Sequence, residues 1–190
     1  MRLLRVGDIG QEKVAALDGN NVMRDLSSNI KDLNPETINF GNLKRLEQIK
    51  LEALPEIKND IRVGSCINRP SNILCIGLNY SLHAEQTGSK LPDYPIVFNK
   101  SPDCLQGPFD PIKKNKTQEK LDYEVELAIV IGKEASNVSE NKALSNAEIN
   151  RASKLLVFFS AINGQEFNEA GVFGVMSSYA ITPLLTKVIL

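Results

Sequence analysis

The sequence predicts an α+β, β-rich fold in which a small N-terminal α/β region precedes a larger domain. Short apolar runs bounded by turn residues recur along the chain, and such runs are typical of strands packed in sheets. One amphipathic pattern in the first third indicates a short helix. Longer apolar runs begin after Arg69–Pro70, so we divide the chain into an N-terminal domain, residues 1–70, and a second domain, residues 71–190.

The N-terminal region is expected to contain a strand, a hairpin and a helix. Met1–Val6 indicates the strand. Val14–Leu17 and Val22–Met23 predict the hairpin, because the Asp-Gly-Asn-Asn segment between them accepts the positive φ of tight turns. Apolar residues at helical spacing over Leu43–Leu54 predict the helix, which Pro55 would end.

The second region is expected to consist mainly of buried strands. The run that begins at Leu155 could equally be the end of a helix starting near Ser145, where Glu148 completes a capping-box pattern. Five runs rich in β-branched or aromatic residues are the strand candidates: Ile73–Leu78, Pro95–Phe98, Val125–Ile131, Leu155–Ile162 and Tyr179–Leu190.

The overall composition favours a small-molecule partner. The formal net charge of -1 gives no electrostatic reason to expect nucleic-acid or membrane-surface binding. Cys66, Cys75 and Cys104 are odd in number and lack CxxC spacing, which argues against a disulfide framework and a zinc site. Without a recognisable signal peptide, a cytoplasmic location is expected. Cys75, within an apolar run, is expected to be a core residue.

Glu124 and Glu126 are the strongest candidate metal ligands. Within a strand they would lie on the same face, and two neighbouring carboxylates at the start of an apolar segment favour a bound cation. Hard oxygen ligands suit Mg²⁺, Mn²⁺ or Ca²⁺. From these residues alone, the pair could also be the polar face of a half-exposed strand.

His83 is the candidate general base. It is the only histidine in the chain and follows the apolar run Ile76–Leu78 through a turn that contains Asn79. A loop after a strand often displays catalytic groups, and histidine titrates near neutral pH. A purely structural or exposed histidine is the alternative.

Three segments in order resemble the fumarylacetoacetate hydrolase family. They are the Gly-Leu-Asn-Tyr-x-x-His-Ala segment Gly77–Ala84, Pro95–Lys100 followed by Gly107–Asp110, and Leu121–Lys133. The resemblance is close over about residues 70–145. It implies a mixed β-roll that is shortened at its C-terminus in this chain, with a metal-dependent hydrolase or lyase activity that cleaves a carbon-carbon bond in a small 2-oxo or 1,3-diketo acid.

The resemblance also implies roles for individual residues. Mg²⁺, or Mn²⁺ or Ca²⁺, would bind Glu124 and Glu126, and His83 would activate water. Lys100 would position the substrate as a nearby cation. The candidate catalytic residues are therefore His83, Glu85 and Lys100, and the candidate substrate-binding residues are Asn79 and Tyr80.

The chain also departs from the family pattern. No aspartate follows Asp122, and Asn163–Gly164 stands where relatives place a third metal-binding carboxylate, with Glu166 as a substitute. Gln86 occupies the position of the glutamate that orients the histidine in relatives, and Glu85 is shifted by one. The alternative function is therefore a catalytically impaired scaffold for binding or oligomerisation. Open strand edges predict a homodimer.

Overall fold

The computed structural model describes residues 1–86, 88–119, 121–131, 136, 156–164 and 170–174. Within them the strands form three antiparallel sheets, ordered β1-β2-β3, β4-β5 and β6-β7-β8. The strands are β1 (Arg2–Val6), β2 (Lys13–Leu17), β3 (Met23–Asp25), β4 (Ile73–Gly77), β5 (Ile96–Lys100), β6 (Leu121–Ile129), β7 (Leu156–Gly164) and β8 (Ala170–Gly174). The helices are α1 (Phe40–Leu46) and α2 (Ser81–Gln86), with short 3₁₀ turns at Leu51–Ala53 and Pro102–Cys104.

The predicted N-terminal strand and hairpin are confirmed as β1 and the β2–β3 pair. The connection takes the expected turn chemistry, since Asn21 has a positive φ of 63°. The Asp18 carboxylate accepts hydrogen bonds from the backbone N–H groups of Asn20 and Val22, at 2.8 and 3.0 Å. It also pairs with Arg24 at 2.9 Å. The hairpin is therefore fixed by a buried aspartate that the turn pattern did not single out.

The predicted helix over Leu43–Leu54 is wrong in its extent. Helix α1 begins three residues earlier, where the Asn39 side chain accepts a hydrogen bond from the Asn42 N–H at 3.0 Å. After Leu46 the backbone turns to tighter i→i+3 hydrogen bonds, including Leu54 N–H to Leu51 O at 2.9 Å. The apolar positions still pack on the core, but through a helix and a separate 3₁₀ turn.

The main hydrophobic core belongs to the N-terminal region and extends beyond it. Leu26, Leu33 and Leu46 are fully buried in it. Ala128 and Val130, at the end of β6 and just after it, pack against the same core, as does Leu105. Residues on both sides of the predicted boundary at residue 70 therefore share packing, while the boundary itself stays a prediction.

Cysteine burial differs from the expectation. Cys66 is the buried thiol, and burial raises its pKa to about 12. Cys75, expected in the core, is only partly buried in β4. Neither strand of its sheet has a buried residue, whereas β1 and β2 each bury three of their five residues.

Four of the five later strand predictions are confirmed in type by β4, β5, β6 and β7. The helical alternative near Leu155 is wrong, because Leu156–Gly164 is a strand. The fifth candidate, Tyr179–Leu190, and the capping-box segment at Ser145 lie outside the described residues. Strand β8 was not predicted. No helix among the described residues has the length and apolar character needed to cross a membrane.

The β4–β5 sheet is more exposed than predicted. Leu74 is 68% exposed and Val97 is 58% exposed, and Ile96 and Phe98 are exposed as well. The prediction of buried strands is therefore wrong for this sheet. An apolar run indicates a strand that can be buried, but burial also requires another layer of structure to pack on it. Among the described residues, no layer covers these side chains.

Candidate functional site

Strand β6 places Glu124 and Glu126 in a regular antiparallel ladder. It pairs with β7 over nine positions, from Leu121 opposite Gly164 to Ile129 opposite Leu156. Residues two apart in such a strand occupy the same face of the sheet. The strand predicted for the glutamates is thus confirmed, and positions 124 and 126 lie on the same face of the sheet. Their role as metal ligands stays a prediction.

The register adds two further polar positions to this face. Asp122 lies two residues before Glu124 and opposite Asn163 of β7. Asp122, Glu124 and Glu126 therefore occupy successive equivalent positions on one strand. The Asp-x-Glu-x-Glu spacing is the sequence signal for this third acidic position, which the glutamate pair alone does not indicate. Glu166, the suggested substitute ligand, lies outside the described residues.

His83 is in helix α2, which begins four residues after β4 ends. Between them, Leu78 has a positive φ of 50°, so the chain turns sharply before Asn79 and Tyr80. The N–H of Ala84 donates to the carbonyl oxygen of Tyr80 at 3.1 Å, and Ala84 is buried. The helix is therefore anchored beside His83 and follows directly from the strand end.

Glu85 and Gln86 are the final two residues of α2. On a helix, residues three apart share a face, whereas residues two apart do not. Gln86 is thus the position that shares a face with His83, and Glu85 is exposed. The helix favours Gln86 as the neighbour of the histidine, while the role of Glu85 stays a prediction.

Lys100 is at the opposite end of the β4–β5 sheet from the substrate-binding candidates. It pairs with Ile73 at the start of β4, whereas Gly77, which leads into Asn79, pairs with Ile96. Four residue steps along a strand correspond to roughly 13 Å. The Lys100 ammonium lies 6.0 Å from the centroid of the Phe98 ring. Within this sheet the structure does not bring Lys100 to the strand end that leads to His83.

The described side chains include no group of three or more His, Cys, Asp or Glu residues that could hold a metal ion. Three carboxylates in the N-terminal region, Glu12, Asp18 and Asp32, are instead paired with arginines. Arg5 pairs with Asp32 at 2.6 Å and with Glu12 at 3.2 Å. These acids form ion pairs within the fold, and the β6 carboxylates stay the metal-binding candidates predicted from the sequence.

Arg62 joins the N-terminal region to the segment that follows β5. Its Nε and Nη2 atoms donate to the two carboxylate oxygens of Asp110, at 2.8 and 2.5 Å. Its Nη1 atom donates to Glu12 at 2.9 Å and to the carbonyl oxygen of Gly7 at 3.1 Å. Such a bidentate pair fixes orientation as well as distance.

Gly107 brings the same segment into close contact with the N-terminal region. A Cβ atom added at Gly107 would lie 2.3 Å from the carbonyl oxygen of Val63. The Gly107 N–H also donates to Asp110 at 2.8 Å. Gly107–Asp110 is one of the segments that carry the family resemblance. In the structure it is a turn that packs against the N-terminal region, and we call it the docking turn.

The ionic network is expected to make the protein sensitive to acid. Hydrogen bonding to Arg62 holds the pKa of Asp110 below its usual value, although burial opposes this. For Glu12, burial raises the pKa most, but the hydrogen bond from Arg62, backbone hydrogen bonds and the charge of Arg5 together outweigh it, and the net pKa is lowered. Both acids therefore bind protons more readily in the unfolded chain, and they stabilise the fold above the unfolded pKa values.

The free energy of unfolding should consequently fall as pH drops from about 5, and urea unfolding at several pH values measures it. The Asp110→Asn variant removes one of the acids and should show a shallower dependence. An equal acid dependence in the two proteins would contradict this assignment.

Comparison with known proteins supports the family resemblance. Residues 72–147 match the family described as fumarylacetoacetate hydrolase C-terminal. The chain is 41% identical over 144 residues to a proposed hydrolase of Burkholderia ambifaria, with 76% of this chain and 51% of that protein covered. A proposed hydrolase of Burkholderia lata is 40% identical over 144 residues with the same shares. The chain spans about half the length of these curated relatives.

Solved structures are similar in fold. A fumarylacetoacetate hydrolase from Exiguobacterium antarcticum gives a TM-score of 0.63 at 21% identity, covering 87% of this chain and 57% of that one. A probable 2-hydroxyhepta-2,4-diene-1,7-dioate isomerase from Mycobacterium abscessus gives 0.66 at 20% identity, covering 95% and 66%. The predicted β-rich fold is therefore confirmed, and the chain spans 57% and 66% of the lengths of these two structures. Residues 72–147 match the fumarylacetoacetate hydrolase family in sequence, and the chain shares its fold with solved structures of that family.

Proposed function

We propose that this chain is a divalent-metal-dependent hydrolase or lyase that cleaves a carbon-carbon bond in a small 2-oxo or 1,3-diketo acid. Glu124 and Glu126 hold Mg²⁺, Mn²⁺ or Ca²⁺, and His83 activates water. The proposal rests chiefly on the equivalent positions of the two glutamates in β6, within the segment that matches the family. A homodimer in the cytoplasm is part of the proposal.

The donor set fits a hard cation. Carboxylate oxygens are the preferred ligands of Mg²⁺ and Ca²⁺, and Mg²⁺ retains several waters when few protein ligands are available. Asp122, on the same face of β6, adds a third acidic position to the pair. Three acids on one strand with no cation would repel one another, so the charge of the strand favours metal binding.

In this reaction His83 removes a proton from water, and the oxygen adds to a carbonyl carbon of the substrate. The bond between that carbon and the neighbouring carbon then breaks. Its electron pair passes to the leaving carbon as an enolate, which is protonated to give the second product. The bound metal supplies electrostatic stabilisation of the developing negative charge. Asn79 and Tyr80 contact the substrate, whereas Lys100, at the opposite end of the β4–β5 sheet, is not part of this site.

The Glu124→Gln variant should bind Mn²⁺ at least about tenfold more weakly than the wild type, because it removes a charged ligand and preserves its shape. Isothermal titration of Mn²⁺ into the metal-free protein measures the affinity. Glu119→Gln is the matched control, since Glu119 is an exposed residue before β6 and should leave affinity unchanged. Turnover of acetylpyruvate and oxaloacetate should fall in parallel with metal affinity. Equal Mn²⁺ affinity in the Glu124→Gln and wild-type proteins would reject the proposed ligand.

A scaffold for binding or oligomerisation is the second candidate function, and the exposed β4–β5 sheet favours it. Leu74, Ile96, Val97 and Phe98 present apolar surface that a partner could cover. The same titration distinguishes the candidates. A wild-type protein that binds no Mn²⁺ at millimolar concentration, and that self-associates in light scattering, would support the scaffold over the enzyme.

A further inference from the structure

The segment after β5 is attached to the N-terminal region at three successive points. Leu105 packs on the N-terminal core. Gly107 lies against the carbonyl oxygen of Val63 so closely that no side chain fits between them. Asp110 completes the attachment through both of its carboxylate oxygens, which accept from Arg62.

Strand β6 meets the same core from its other end. Ala128 is the penultimate residue of β6, and Val130 follows the strand, and both pack against the cluster that receives Leu105. Leu121, where β6 begins, is eleven residues after Asp110. The strand that holds the carboxylates is therefore attached to the N-terminal region near its C-terminal end, and the ion pair attaches the chain eleven residues before the strand begins.

The geometry of the Arg62–Asp110 pair holds the segment after β5 in one orientation on the N-terminal region. All three guanidinium nitrogens of Arg62 are engaged, two by Asp110 and one by Glu12 and the Gly7 carbonyl. Its side chain is 25% exposed and that of Asp110 is 17% exposed. A bidentate pair with little solvent access holds one geometry, whereas an exposed single contact samples many.

We propose that Arg62 and Asp110 are positioning residues for the metal site on β6. Through them the N-terminal region holds the start of β6 so that Glu124 and Glu126 are presented together. This inference rests on the proposed function for its metal readout. It assigns to the N-terminal region a direct part in metal affinity, beyond its own folding.

The experiment compares Asp110→Asn with Asp25→Asn. The asparagine at position 110 keeps an oxygen for the Gly107 N–H but loses the charge that pairs with Arg62. Asp25 is an ion-pair partner of Lys13 within the N-terminal sheet, so its variant removes a charge pair away from the segment after β5. Both variants are compared under conditions where urea unfolding shows them to be folded.

Hydrogen exchange of the β6 backbone amides is the first readout. In Asp110→Asn a peptide spanning residues 121–131 should exchange about tenfold faster than in the wild type, and in Asp25→Asn it should be unchanged. Unchanged exchange in Asp110→Asn, or equally accelerated exchange in the two variants, would overturn the inference. This readout does not depend on metal binding.

Mn²⁺ affinity is the second readout. Its Kd should rise about tenfold in Asp110→Asn and stay within about twofold of the wild type in Asp25→Asn, as expected for a residue that supports ligands without touching the ion. Asp110→Glu, which restores the charge, should recover part of the affinity. A wild-type protein without Mn²⁺ binding would refute the proposed function and with it this role in metal affinity, whereas equal affinity in the wild type and Asp110→Asn would refute the inference alone.

Discussion

Replacing His83 by alanine is expected to lower kcat by about 10²-fold to 10⁴-fold, the usual contribution of a general base. The residue is in α2, directly after the turn that leaves β4. The variant retains the proposed metal ligands, so Mn²⁺ affinity should stay close to that of the wild type. Steady-state turnover of acetylpyruvate, measured with saturating Mn²⁺, tests the expectation.

Leu82→Ala is the matched control for this variant. Leu82 is the neighbouring residue in α2 and its side chain is 71% exposed, so its truncation should leave both stability and kcat nearly unchanged. A drop in kcat of the same size in both variants would indicate that the helix, and not the imidazole, is required. Equal rates for His83→Ala and the wild type would reject the proposed base.

Replacing Gly107 by alanine is expected to destabilise the protein by about 3 kcal/mol, near the upper end of the usual cost of overpacking. The added Cβ would lie 2.3 Å from the Val63 carbonyl oxygen, which is backbone and cannot rotate away. The docking turn would have to move from the N-terminal region. Urea unfolding of the variant and the wild type gives the difference in unfolding free energy.

Gly19→Ala separates this steric effect from a general intolerance of alanine for glycine. Gly19 is in the β2–β3 connection, and a Cβ added there meets no atom within 4 Å. Its variant should remain within about 0.5 kcal/mol of the wild type, as expected for a surface substitution. A Gly107→Ala protein as stable as Gly19→Ala would contradict the close docking of the segment on Val63.

The sequence predicts which residues form strands better than it predicts what packs against those strands. Ile73–Leu78 and Val125–Ile131 are rich in β-branched residues, and both correspond to strands. Local composition does not indicate what covers a strand, so the sequence does not predict the exposure of Leu74 and Val97. The extent of α1 was also missed, because apolar spacing continued through a tighter turn while capping by Asn39 set the start.

The candidate site was predictable to the extent that it depends on short motifs. The alternation of Glu124 and Glu126 follows from their spacing once they belong to a strand. The pairing of Arg62 with Asp110 was not predictable, since the two residues are 48 positions apart and each also fits an exposed surface position. Long-range ion pairs depend on how the chain returns on itself, which residue patterns alone do not specify.

The most direct test of a metal site on β6 is a crystal structure of the protein soaked with Mn²⁺, with anomalous diffraction used to locate the ion. The account predicts one strong anomalous peak within coordination distance of carboxylate oxygens from both Glu124 and Glu126. Crystals of the Glu124→Gln variant, soaked in the same way, should show a much weaker peak at that place. A peak elsewhere in the molecule, with none at β6, would contradict the account.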